Sequence, residues 1–174
     1  MEWRDLVIDA YGRVSDMLQQ ALKNVTPADL NKQPRPDCNS MGWIVWHLTR
    51  GQDSQISDLS GKTQVWIEQD WHSKFNRSAD PSDTGFGDSS EDVKAFKSPE
   101  AAVLLGYYNA VLAETRKYLQ SLQEADLGRV LDEPYKPPPT VGVRITSVLA
   151  DCLGHAGEVD YLRGLLGGKG WLGY

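Results

Sequence analysis

The chain has 174 residues, a formal net charge of −6 and a pI near 5.0. That length suits one domain, 1–174, large enough to bury most of its surface without cross-links. An acidic balance with no run of like charge speaks against a nucleic-acid surface, which needs a basic patch or stripe.

No apolar run approaches the ~20 residues of a membrane span. The start, Met1-Glu2-Trp3-Arg4-Asp5, lacks the basic-then-apolar order of a secretory signal, and none is expected. Cys38 and Cys152 could pair on paper, but Cys152 falls inside a helical apolar stripe. Reduced thiols and a cytoplasmic location are therefore expected.

Apolar residues recur with a 3.6-residue period from Trp3 to Val25, through Leu6, Ala10, Val14, Leu18 and Leu22, which predicts a first long helix. Thr26-Pro27 then starts a short turn at Ala28-Asp29-Leu30. Gln33 to Asp37 is a proline-bearing loop. Ser40 is placed to cap a second long helix from Met41 to about Leu59, ended by Gly61.

From Gly61 to Lys97 the periodicity dissolves, and connections of that length are usually functional or mobile. Its Asp83–Asp88 portion lacks the spacing of a calcium loop and is expected to be a lid or linker. Ser98-Pro99-Glu100 predicts the start of a third helix running to about Leu122. The proline-rich stretch Leu131–Pro139 cannot be helical throughout. A last helix is expected from about Val143 to Leu166, stopped by Gly167-Gly168, before an aromatic tail at Trp171 and Tyr174. Ala28-Asp29-Leu30 and Ala125-Asp126-Leu127 each follow a long helix, a weak internal echo. The fold class expected is all-α: an antiparallel four-helix bundle with a long irregular connection between its second and third helices.

On the last helix, Asp151 and His155 stand one turn apart on one face, and His155 continues the stripe Val148, Cys152, Val159, Leu162. On the second helix, His47 sits among Ile44, Val45 and Leu48. An unsatisfied polar group in a core costs roughly 1–3 kcal/mol, so these side chains need partners. One divalent metal held by His47, Asp151 and His155 would satisfy all three, although ordinary hydrogen bonding in the core is the commoner arrangement. Cys152 points about 100° away from Asp151 around the helix and is a poor fourth ligand.

The segments Ser40 to Arg50 with Asp53, Gln64-Val65-Trp66 with Trp71, Asp83 to Gly87, and Asp151 to Glu158 with Tyr161, Arg163 and Gly164 resemble the DinB-like superfamily. These are metal-binding four-helix bundles that include thiol transferases and mycothiol-dependent maleylpyruvate isomerases. The likeness covers essentially the whole chain. Carried over, it implies a metal on His47, Asp151 and His155, with a carboxylate at 151 as in the isomerase branch where many members have histidine. Such a donor set suits zinc in an open, catalytic site and tolerates nickel or iron.

The resemblance further implies a transferase in which the metal activates a low-molecular-weight thiol for attack on an electrophile. Arg163 or Arg50 would then act as catalytic residues that orient an anionic group, unless each simply pairs with a nearby acid. Asp53 is too far round its helix to ligate and is expected to support a neighbour or cap a helix. The partners expected are a small thiol and an electrophile, with no nucleic acid and no membrane. Trp43, Trp46, Trp66, Trp71 and Trp171 fill the core, or line a pocket mouth or a homodimer contact. Two alternatives stand beside the transferase: a hydrolase using metal-bound water, and a non-catalytic, stress-related binding module.

Overall fold

A computed structural model describes residues 1–167. Four long helices carry the fold: α1 (Trp3–Ala21), α3 (Met41–Ser60), α7 (Ala101–Ser121) and α8 (Val141–Leu165). The described residues hold no strand, and one isolated bridge joins Val130 to Thr140. Each long helix packs on two others: α3 against α8 and α7, and α1 against the same two. Their inward stripes merge into one core, with Tyr11, Leu18, Trp46, Leu48, Tyr107 and Leu119 fully enclosed. No helix among the described residues is long and apolar enough to cross a membrane.

Local chemistry sets the helix ends. Ser40 Oγ accepts from Trp43 N at the start of α3, which stops at Gly61, as the sequence predicts. Thr140 caps α8 by accepting from Val143 N, so the last helix begins two residues before Val143. The expected start of α7 shifts as well. Ser98 does not cap it; Glu100 holds that position. Ser98 instead exchanges bonds with the Asn31 side chain, at 2.8 and 3.3 Å. It also presses on α3 so closely that a Cβ at Gly42 would sit 2.3 Å from Ser98 Cβ.

The internal echo extends to geometry. The short helix α2 (Pro27–Leu30) and the 3₁₀ turn Glu124–Gly128 are closed by one device, in which Asp29 and Asp126 each accept from the amide at the cap, Thr26 and Gln123.

The connection after α3 holds three short helices, α4 (Val65–Glu68), α5 (Trp71–Lys74) and α6 (Ser90–Ala95). It is fastened to the long helices by buried side chains. Asp53, 1% exposed, accepts from the first two amides of α4, Val65 at 2.9 Å and Trp66 at 2.8 Å. The Tyr107 hydroxyl donates to the same carboxylate at 2.7 Å, and Arg50 Nη1 stands 3.4 Å away. Burial, then Asp53, push the Tyr107 hydroxyl well above its ordinary range, so it remains a neutral donor.

Arg50 is fully buried over the Trp66 ring and reaches the next loop through main-chain oxygens. Its Nε donates to Asp83 O at 2.9 Å and its Nη2 to Pro81 O at 3.1 Å. Arg77, between Trp46 and Phe96, grips the Asp83 carboxylate with two bonds of 2.7 and 2.8 Å.

Both cysteines are free thiols. Cys152 lies in the core and donates to Gln52 Oε1, and burial pushes its pKa far up.

Asp53→Ala would strand Arg50 and four donors, Val65 N, Trp66 N, the Tyr107 hydroxyl and the Ser57 hydroxyl, in the core. A broken buried ion pair costs about 3–5 kcal/mol, so the melting temperature should fall by on the order of 10 °C. Tyr107→Phe, which removes one donor, should cost about 1 kcal/mol; thermal melts of equal depth for the two would contradict this account of the network. Iodoacetamide on the folded chain should label Cys38 and spare Cys152 until denaturant is added, as peptide mass mapping would reveal.

Candidate metal centre

The site lies where α3 meets α8. His47, half-buried on α3, stacks on the Trp43 ring with centroids 4.7 Å apart and planes 15° from parallel. Trp43 is itself held by a 3.1 Å bond from its indole N–H to Asp88. His47 Nδ1 is 2.6 Å from the main-chain oxygen of Thr84. A carbonyl only accepts, so Nδ1 carries the proton and Nε2 keeps a free lone pair.

Gly85 makes this approach possible. Its φ is +80°, and a Cβ there would lie 2.8 Å from Trp46, 2.9 Å from Trp43 and 3.1 Å from His47. Any side chain at 85 would therefore push the Thr84 carbonyl away from the imidazole.

On α8, Cys152, Ala156 and Val159 take the core positions, and His155 sits half-buried at the edge of that stripe. Its Nδ1 contacts Glu158 Oε2 at 2.7 Å, one turn on. The carboxylate only accepts, so Nδ1 carries a proton and Nε2 faces the other way, toward Asp151. That Nε2 stands 3.5 Å from Asp151 Oδ1, and the rings of His155 and His47 meet edge to face with centroids 5.1 Å apart. The sequence undervalues this contact of Glu158, because an acid three residues after a histidine looks like any solvated helix surface.

The three candidate ligands thus converge in pairs, His47 on His155 and His155 on Asp151. Among the described residues no group of three or more His, Cys, Asp or Glu side chains is placed so that it could hold a metal ion. One pair of the three, His155 and Asp151, has a spacing that can be compared with that of metal ligands. Ligand atoms at ~2.0–2.1 Å from a tetrahedral ion lie roughly 3.4 Å from one another. The His155–Asp151 separation is near that value and long for a charge-assisted hydrogen bond, which prefers about 2.7–2.9 Å. Both imidazoles also have the outer oxygen partner that metal-bound histidines usually show.

The two arginines named from the sequence do other work. Every nitrogen of Arg50 bonds inside the core or to residues 80–83. Arg163 reaches back to the C-terminal carbonyls of α1, donating to Gln20 O and Ala21 O, and so satisfies a helix end. Neither lines the space beside the histidines. His72, in the irregular region, pairs with Asp70. Trp43, Trp46 and Trp66 are core, and Trp171 lies outside the described residues.

A cavity of about 1030 Å³ opens beside His47 and Asp151. One side is α3 with Gly51, Ser54 and Gln55; the other is the proline run Pro137–Pro139 with Val143 and Val148 of α8. Arg144 is the cation in this wall. It bonds Gln55 and Glu133 and stands 3.6 Å from Asp58. Nothing in the local sequence singles out Arg144, because its place in the wall follows from the return of the proline loop along α8.

Similarity to known proteins agrees with this architecture. No curated protein matches the chain. The crystal structure of a conserved protein from Enterococcus faecalis superimposes with a TM-score of 0.87 at 30% identity, over 95% of this chain and 97% of that one. The sequence model of the DinB superfamily matches residues 10–159, most of the length, including His47 and His155. The chain belongs to the DinB superfamily.

Proposed function

We propose that the four long helices form an antiparallel bundle whose α3–α8 edge binds one divalent metal ion through His47, Asp151 and His155. We propose further that the site serves a metal-dependent transfer of a small thiol onto an electrophile. The observation that supports this most is the pairing of each imidazole Nδ1 with an outer oxygen, Thr84 O and Glu158 Oε2, while the two rings face each other 5.1 Å apart.

Zinc fits two neutral imidazoles and one carboxylate, and nickel or iron is compatible with the same set. An ion so held supplies Lewis acidity that lowers the pKa of a thiol or water beside it. The protein does the rest. Trp43 and Thr84 fix the plane and tautomer of His47, Glu158 does the same for His155, and Asp151 contributes charge from the exposed edge of α8. With three protein ligands, space remains on the cavity side for a reactant. The 1030 Å³ beside it accommodates both a small thiol and its acceptor.

Tag-free protein, stripped and then titrated with zinc, should bind one equivalent. At a hundredfold excess over Kd this should stabilise the fold by about 2.7 kcal/mol. His47→Ala, Asp151→Asn and His155→Ala should keep their helical circular dichroism and lose the zinc-dependent rise in melting temperature. Glu158→Gln and Gly85→Ala should retain binding at roughly 10–100-fold weaker affinity. Zinc binding that survives both histidine substitutions would remove this site from consideration. The metal-loaded chain, given glutathione and an activated aryl halide, should turn over with saturation in each; hydrolysis of esters with no thiol present would point to metal-bound water instead.

A further inference from the structure

The cavity beside the histidines is unevenly furnished. Its inner end holds His47 and Asp151, while much of its wall is Pro137, Pro138, Pro139 and Val148. It is bordered by large apolar side chains that the described residues leave open: Phe86 is 92% exposed, Tyr135 68% and Val143 52%. A folded chain gains by covering such groups, and three of them gather around one opening.

The charges in this cavity are equally informative. Arg144 is the cation among the described residues that line it. Its guanidinium is shared between Glu133, Asp58 and Gln55, so an anionic ligand would have to displace a carboxylate to reach it. Asp151 and Glu133 add negative charge to the same lining. Without a metal, an anion entering here loses its hydration and finds no free cation among the described residues in return. The volume is at the upper end of small-molecule sites, roughly 300–1,000 Å³, which are mostly apolar with a few convergent polar groups.

We propose that this cavity binds a neutral, largely apolar small molecule, with its body against the Pro137–Pro139 wall and the Phe86–Tyr135 rim and its reacting end over His47 and Asp151. Such a ligand covers the exposed rings and leaves the Arg144–Glu133 pair intact. On the polar side, the Ser82 and Ser147 hydroxyls already donate to Asp80 and to Val143 O and so offer it acceptor oxygens, beside the Ser54 hydroxyl. The proposal rests on the metal-site reading only for the direction in which the ligand faces; its affinity comes from the wall and rim.

Two dyes that differ by a single sulfonate separate charge from apolar surface. The full chain, treated with chelator so that metal plays no part, is titrated with N-phenyl-1-naphthylamine and with 8-anilinonaphthalene-1-sulfonate. The neutral dye should bind one saturable site, and the sulfonated dye at least tenfold more weakly. Val143→Asp, a change at an exposed position of α8, should weaken the neutral dye at least tenfold with circular dichroism unchanged. Glu133→Gln, which loosens the hold on Arg144, should strengthen the sulfonated dye several-fold and leave the neutral one within twofold. Equal or tighter binding of the sulfonated dye, or indifference of the neutral dye to Val143→Asp, would overturn the proposal. So would exclusion of both dyes from a chain that elutes as a dimer, because a second copy would then cover the rim. Failure of the zinc titration would leave these outcomes untouched, so the two ideas fail separately.

Discussion

The contact on which the site depends is the 2.6 Å approach of the Thr84 carbonyl to His47 Nδ1. It fixes the imidazole's tautomer, and nothing within α3 could supply it. The helix's own carbonyls are committed to its ladder, so the oxygen must come from another piece of chain. Residues 80–88 are brought in and tied down by Arg50 through three of their main-chain oxygens and by Arg77 through Asp83. A buried guanidinium is expensive to desolvate unless every donor is used. Here Asp53, Tyr107 and the loop carbonyls use them all. Core and site are therefore joined through one residue on α3, three positions after the histidine.

The two halves of the site are held with different stiffness. His47 is clamped between an indole face and a main-chain oxygen, with Gly85 letting the loop lie flush against both. His155 is positioned by a single exposed carboxylate on its own helix, Glu158, and leans toward Asp151, which is also exposed. A donor set with one rigid and one adjustable side suits a centre that must admit a reactant, because the adjustable side can follow a change in coordination without disturbing the core.

Much of the fold was legible in the sequence because it is written in periodicity. Four stretches with a 3.6-residue apolar repeat became four helices, and Ser40, Thr26 and Gly61 marked ends where the backbone uses them. The start of α7 was misplaced because Ser98 carries a good local capping signal that a tertiary contact with Asn31 overrides. Residues 61–97 looked featureless for a related reason: short helices secured by distant side chains leave no repeat to read.

For the site, the one-turn spacing of Asp151 and His155 showed which residues share a face. It could not show that Arg50 and Arg163 point elsewhere. An arginine near a histidine in sequence is equally able to reach inward, and only the acceptors around it decide. Arg144 was missed, and Glu158 left as a solvated residue by default, for the complementary reason: nothing local distinguishes a surface ion pair from one that borders a cavity.

That His47 is oriented by a peptide oxygen has a consequence for how this protein tolerates substitution. The group doing the work at position 84 belongs to the backbone, so almost any amino acid there could provide it. Mutational constraint is displaced onto neighbours that never touch the imidazole's proton: the carboxylate at 83, gripped by Arg77, and the missing side chain at 85. Drift at 84 would be silent, while a single added methyl group next door would be felt at the histidine.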